Sequence, residues 1–339
     1  MKNISFGQKI ILFFTWIAAF LLILGFITPY IPPKYFPFLS FMSLIFPYLV
    51  LLNIVLLIYW LVNLKKYFLL PLLALLINYN NLHALYQASG KHSIDKKGIT
   101  VMSYNVRLFN AYNWIKKKAV DVDISNFLKD QNPDILLLQE FTNNPRTDFS
   151  QYKYKQIVLK GEKRRSGMAI FSKFPIINKG NINFDHTYNN SIWADIKIGK
   201  DTLRVYNVHM QSHKVHPQDI PEGDKMKLSK ALSKDFVKQY EQAVKLDKHI
   251  SQTGFPVILG GDFNNTAFSY IYRKLKGDRR QDAFVEAGKG FGFTWHYKYF
   301  PFRIDFLLID KAFFVREFNT FKHIKYSDHY PIKTLIKFK

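Results

Sequence analysis

Residues 10–27, IILFFTWIAAFLLILGFI, contain no charged side chain. No other feature restricts the chain as much. As a helix this stretch spans about 27 Å, close to the hydrocarbon thickness of a bilayer. A second uncharged run extends from Tyr35 to Leu64, with Pro47 as an expected kink of the sort a membrane helix tolerates when neighbours satisfy the freed backbone groups. A third begins at Tyr67, is strongly apolar to Ile77, and weakens through Asn78, Asn80, Asn81 and His83. The expectation is a bundle of about three transmembrane helices, at about 10–28, 38–62 and 67–86, so that residues 1–86 form a transmembrane region.

A cleaved signal peptide fits less well, because the apolar core is too long and further spans follow. Lys2 and Lys9 precede the first span, Lys34 lies between the first two, and Lys65 and Lys66 lie between the second and third. The positive-inside rule then puts the N-terminus in the cytoplasm and, after three crossings, the rest of the chain on the extracytoplasmic side of the inner or plasma membrane. Two crossings would leave it in the cytoplasm. Trp16 and Trp60 fall near span ends, where interfacial anchors belong.

After a polar linker at 87–98, QASGKHSIDKKG, the pattern changes. ITVMSYNVRLF (99–109) reads as a strand running into a polar loop, and AVDVDISNFLKDQN (119–132) as a helix stopped by Pro133. DILLLQE (134–140) is a continuous apolar run, as in a strand buried on both faces. GMAIFSK, SIWADIKI and LRVYNVHM follow in succession and suggest antiparallel neighbours. Across 224–252, Leu228, Leu232, Phe236, Tyr240 and Val244 recur at a spacing of four and predict one apolar helical stripe. PVILGG, RIDFLLID (303–310) and HYPIKTLIKF (329–338) are further strands. The mix predicts an α/β sandwich over 99–339, two sheets face to face with helices outside.

Polar residues gather at the strand boundaries. Asn105 and Arg107 end the first strand; Gln139 and Glu140 end the second; Asn207 and His209 end RVYNVHM; Asp262 and Asn264 end VILGG; Arg303 and Asp305 open RIDFLLID; Ser327, Asp328 and His329 precede the last. A strand interior does not tolerate unpaired carboxylates, since burying an ion without partners costs several kcal/mol. At strand ends these groups can converge on one rim, where carboxylates, amides and imidazoles suit a hard divalent cation and a phosphate. Each block alone also reads as a turn or a strand end; the set of six carries the argument.

The ordered series SYNVR, LLLQE, NVHMQS, GGDFNNTAFSY, RIDFLL and SDHYP resembles the endonuclease/exonuclease/phosphatase superfamily, which includes pancreatic-type deoxyribonucleases, AP endonucleases, bacterial neutral sphingomyelinases and inositol polyphosphate 5-phosphatases. The whole layout is similar to bacterial membrane-tethered members. The resemblance covers about 99–339 and implies a four-layer α/β/β/α sandwich of two mixed sheets. It implies a Mg²⁺-dependent site, with Mn²⁺ as a substitute, in which Glu140, Asn105 and Asp328 lie at the metal. It further implies that Asp262 and Asn264 position or deprotonate the attacking water and contact the phosphate, that His329 acts at the scissile phosphate, and that Asp305 orients it. His209 matches a second histidine of the deoxyribonuclease and sphingomyelinase branches. Either Asp262 or the Asp305–His329 pair is compatible with taking the water's proton. Arg107 is a candidate phosphate contact and equally a structural ion pair.

Charge bears on the substrate. Residues 1–98 hold eight lysines and one acid (+7), which leaves 40 basic and 24 acidic residues (+16) for 99–339. A basic hydrolase favours a nucleic acid, and the basic loop KGEKRRSG (160–167) is a candidate backbone contact. The alternative is a sphingomyelinase-like lipid phosphodiesterase or a phosphatase, favoured by the apolar helices and by the aromatic stretch FGFTWHYKYFPF (291–302). A catalytically dead binding protein fits poorly, because every matched position keeps a competent residue. The absence of cysteine excludes disulfides and thiolate chemistry.

Overall fold

The computed structural model describes residues 4–93, 97–161, 165–213, 225–297 and 300–339. Lys2, most of the basic core of the 160–167 loop (162–164) and part of the aromatic stretch (298–299) lie outside the described residues. The chain divides into two compact units: 1–86 with 215–240 and 265–273, and 87–214 with 241–264 and 274–339.

In the first unit, α1 (Phe6–Ile27) starts at Ser5, whose hydroxyl accepts from the Gln8 amide while the Gln8 side chain accepts from the Ser5 amide. After it come α2 (Met42–Val62), α3 (Leu69–Ile77) and α4 (Tyr79–Leu85). Two helical stretches, Phe6–Tyr30 and Pro37–Val62, are long and apolar enough to cross a membrane. The third is broken: Lys66–Ile77 and Tyr79–Leu85 meet at 69°. The break falls at Asn78, whose buried amide donates to the carbonyls of Leu22 and Ala74. The candidate spans therefore number two, or three if the bent pair counts as one.

Several buried polar groups in these helices are neutral and bond to nearby backbone or to each other. Asn53 donates to the carbonyls of Ala18 and Leu49, and the Trp60 indole donates to Thr15. Such bonds tie helices together where apolar side chains alone give no directional preference.

The second unit is built on β1 (Ile99–Asn105), α5 (Val120–Gln131), β2 (Ile135–Thr142), β3 (Tyr154–Lys160), β4 (Ser166–Ser172), β5 (Ile176–Asn183), β6 (Asn190–Ile198) and β7 (Asp201–His209). There follow α6 (Lys225–Ser251, shared between the units), β8 (Val257–Asp262), α7 (Tyr270–Lys276), β9 (Arg280–Asp282), α8 (Ala283–Ala287), β10 (Trp295–Tyr297), β11 (Phe300–Phe302), β12 (Asp305–Asp310), β13 (Phe313–Thr320) and β14 (Ile332–Phe338). Two six-stranded mixed sheets run β13-β14-β1-β2-β4-β3 and β5-β6-β7-β8-β12-β9. In each, one central pair is parallel, β1–β2 and β7–β8, bridged by α5 and α6 respectively.

Apolar residues of both sheets, among them Val101, Leu137, Ile192, Val205, Ile258 and Leu307, form the core between them. Met102, Tyr104, Leu136 and Leu138 face the other way and pack on Ile124 and Leu128 of α5, which explains why ILLL of β2 is apolar at every position. On the far side, Tyr206 of β7 hydrogen-bonds His249 of α6 at 2.9 Å. The expected sandwich is thus present.

Two details depart from expectation. The buried face of α6 follows Phe236, Gln239, Ala243, Leu246 and Ile250, and Val244 is 37% exposed; a strict spacing of four drifts off a face whose period is 3.6. GMAIFSK and SIWADIKI are not neighbours either, for β4 and β6 belong to different sheets.

Candidate active site

The site forms where parallel strands end. Asn105 closes β1, His209 pairs with Asp262 in register at the ends of β7 and β8, and antiparallel β12 sets Asp305 opposite Asp262. Ladder hydrogen bonds therefore fix three candidate site residues side by side on one sheet. Two glycines let β8 run there. A Cβ on Gly260 would lie 2.6 Å from Leu137 Cδ1 and 2.7 Å from Leu307 Cδ2. Gly261 has φ +135° and its Cβ would collide with the Val208 carbonyl.

Glu140 reaches the rim from the other sheet by a β-bulge. The pairing of β2 with β4 shifts between Leu138 and Phe141, and Glu140 takes φ 49° within it. A bulge re-aims a side chain at the cost of local strain, about 1–3 kcal/mol for a non-glycine in this region. Asn264 (φ 49°) and the run Arg107–Asn110 (φ 44–60°) share this conformation.

The side chains converge. The Asn105 amide donates to Glu140 Oε1 at 3.2 Å and to Asp262 Oδ2 at 3.1 Å. His209 Nε2 lies 3.9 Å from Glu140 Oε1 and 3.7 Å from Asp262 Oδ2. His329 Nδ1 is 2.8 Å from Asp305 Oδ2, while its Nε2 lies 3.7 Å from Asp262 Oδ2. The Asn264 backbone donates to Asp262 Oδ1 at 2.8 Å, and its side chain is held by the Met210 carbonyl at 3.0 Å. Arg107 Nε lies 3.5 Å from Asp328 Oδ2, and its guanidinium stacks on Trp114 at 4.5 Å. All nine expected site residues thus belong to one connected cluster.

Electrostatics follow from burial among acids. Burial raises the Glu140 carboxyl, with Asp328 adding to the effect and Asn105 opposing it. Burial also raises Asp262, against the pull of His329. Burial lowers His209. For His329 burial acts downward too, but Asp305 and Asp262 outweigh it and hold the imidazole well above its usual value. The pair is thus predisposed to a protonated His329.

The donor set fits a hard divalent cation. Four carboxylates face one arginine and two imidazoles, Glu140 and Asp328 offer carboxylate oxygens, the Asn105 Oδ1 accepts from the Arg107 amide while its Nδ2 faces Glu140, and a third of the Glu140 side chain remains open to solvent. One oxygen of Asp262, one of Asp305 and a nitrogen of His329 also lie within 4.8 Å of one another.

Sequence reasoning gave Ser327 no role and passed over Thr294. Ser327 donates to the Asn105 carbonyl at 2.8 Å and accepts from the His329 amide. The Thr294 hydroxyl accepts from the amides of Ile304 and Asp305, and its carbonyl accepts from Tyr330. Together they fix the backbone on both sides of the Asp305–His329 pair. A lone threonine in an aromatic stretch gives no sequence signal. Gln139 and Asn207 are structural: Gln139 donates to Asn207 Oδ1 at 2.6 Å, and Asn207 donates across the core to the carbonyls of Leu138 and Ala169.

Residues 102–329 match the sequence profile of the Endonuclease/Exonuclease/phosphatase family, and residues 8–85 match one described only as a domain of unknown function. Similar solved structures include an endonuclease/exonuclease/phosphatase from Bacteroides vulgatus (17% identity, 72% of this chain and 100% of that one, TM-score 0.55). The human nocturnin catalytic domain is another (19%, 71% and 95%, TM-score 0.54), as is a truncated Caenorhabditis elegans TDP2 (19%, 73% and 100%, TM-score 0.51). At these identities the likeness establishes the fold. No curated protein sequence matches the chain.

Proposed function

Since the chain belongs to the endonuclease/exonuclease/phosphatase family, and so is a metal-dependent phosphoric ester hydrolase, we propose that it is a membrane-anchored, Mg²⁺-dependent phosphodiesterase acting on nucleic acid. The observation that carries the reading is the convergence of Asn105, Glu140, Asp262 and the Asp305–His329 pair on one rim.

Glu140, Asn105 and Asp328 are the residues to hold Mg²⁺, which supplies charge neutralisation at the phosphorus when bound. Asp262, raised by burial yet hydrogen-bonded by Asn105 and the Asn264 amide, accepts the proton of the attacking water. His329, kept protonated by Asp305, stands against a non-bridging oxygen of the phosphate. His209, lowered by burial, is neutral at pH 7 and suited to hydrogen bonding rather than to charge. Arg107, steadied by Trp114, contacts a flanking phosphate.

Nucleic acid is favoured over lipid by the +16 charge of residues 99–339. A lipid phosphodiester is the second reading, favoured by the two apolar helices. Three crossings would place the site on the extracytoplasmic side, as the lysine distribution suggests. Purified full-length protein in detergent, given Mg²⁺ with plasmid DNA, RNA, sphingomyelin or inositol phosphates, tests the assignment. Cleavage of lipid alone overturns the nuclease reading, and undiminished activity in EDTA overturns the metal requirement. A reporter fused after Lys339 reads the side.

A further inference from the structure

The stretch GGDFNNTAFSY is divided between the two units: Asp262 and Asn264 belong to the sandwich, and the chain passes into the helical unit at the Asn264–Asn265 peptide bond. Beyond that bond the segment is fastened firmly. Asn265 and Thr266 are each 2% exposed, Gln239 not at all, and Ser43, in the first turn of α2, is 1% exposed. The Thr266 hydroxyl donates to the Ser43 carbonyl at 2.8 Å, and Asn265 Oδ1 lies 3.3 Å from the Ser43 hydroxyl. The Asn265 amide donates to Gln239 at 2.7 Å. Phe268 stacks on Phe46 of α2 with centroids 4.3 Å apart, and Arg273 lies over Tyr30 at 3.9 Å.

Residues 265–273 are not part of the sheet that carries the site, and a surface turn after β8 has no need of an apolar helix. We infer that the helical unit is a positioning device for hydrolysis: Ser43, Asn265, Thr266 and Phe268 hold the chain immediately after Asn264 and so fix the conformation of the Asp262–Asn264 turn. Asn264 keeps a left-handed backbone whose amide bonds Asp262 Oδ1. A restraint one residue away holds that strained turn in the arrangement which aims Asp262. The inference rests on the hydrolytic role proposed for Asp262 and Asn264. It makes α1 and α2 more than an anchor, because the identity of Ser43 and its neighbours then bears on turnover.

The test uses full-length protein in detergent micelles, with Thr266→Val removing the hydroxyl at nearly constant volume and Thr266→Ser restoring it. Amide hydrogen exchange at Phe263 and Asn264 reads the turn directly and requires no substrate. Turnover of bis(p-nitrophenyl) phosphate with Mg²⁺ reads the consequence. Exchange at 263–264 is expected to rise in Thr266→Val while β1 amides stay protected; kcat should fall about tenfold with KM within about twofold, and Thr266→Ser should recover both. Phe268→Leu should act in the same direction. Unchanged exchange at 263–264 alongside loosening at 265–268 overturns the inference. So does a uniform rise over the whole sandwich, which marks general destabilisation. If the wild type cleaves no phosphoric ester yet the exchange response is confined to 263–264, the positioning role stands and the functional reading falls.

Discussion

The sandwich buries charge in two ways. Away from the rim, two buried acids are each matched by one arginine. Arg303 Nη1 meets Asp282 Oδ2 at 2.6 Å, and Arg204 meets both oxygens of Asp195 at 2.6 and 2.8 Å. Each guanidinium also lies on aromatic rings, Phe284 and Phe306 for Arg303 and Trp193 for Arg204. At the rim, Glu140, Asp262, Asp305 and Asp328 outnumber the cations set among them. A closed pair serves the fold and needs nothing further. An acid-rich cluster is held against its own repulsion by the scaffold, and a bound cation relieves it.

The contrast can be broken. Arg303→Met should strand Asp282 in the core and lower unfolding stability by about 3–5 kcal/mol, read by denaturant melts of the full-length protein. Glu140→Gln should leave stability unchanged or slightly higher, yet lower phosphodiester turnover by about 10³-fold. Equal destabilisation by the two variants would erase the distinction.

Titration sharpens it. Asp262 is raised from its ordinary value to about 6, so the native state without metal holds a proton there that the unfolded chain has released. Stability from this group is full below the unfolded carboxylate value and is lost as pH rises towards 6. His329, also raised, extends the loss above its ordinary value. His209, lowered by burial, works the other way up to its ordinary value, so the melting temperature in EDTA should fall between about pH 6.5 and pH 8, where His329 alone of these three still releases its proton, and Mg²⁺ should flatten the fall. The smallest effect is local: Asp305→Asn removes the main upward influence on His329, and its imidazole titration, followed by NMR, should move down. An unmoved titration would mean that Asp305 does not set the charge of His329.

Much of this was legible beforehand because the site lies at strand ends, where apolar runs stop abruptly at amides and acids. LLLQE and VILGGD announce both the strand and the candidate residue at its end. The strands the sequence does not announce are β10 and β11, which pair only with each other, and β3, β5, β9 and β13, the edges of the two six-stranded sheets. IINKGNIN of β5 shows why: only Ile182 is buried, and an edge facing water carries polar residues that mask the alternation. The bulge at Glu140 was invisible as well, since its extra residue is set by the pairing with β4 and not by any local preference. The break at Asn78 was foreshadowed by three asparagines in four residues, but its depth depends on the carbonyl of Leu22, which no sequence window reaches.

The arrangement of the rim has one more consequence. Asp262, His209 and Asp305 share one sheet, where ladder spacing sets their separations. Asn105 and Glu140 come from the other sheet. The gap between the two halves is therefore gauged by the side chains stacked beneath, and Gly260 is the thinnest spacer, with Leu137 and Leu307 already at its back. A methyl group added at that spacer has to displace the ends of Leu137 and Leu307, so the fit between the two halves of the cluster is set in part by core volume at a residue that bears no functional group.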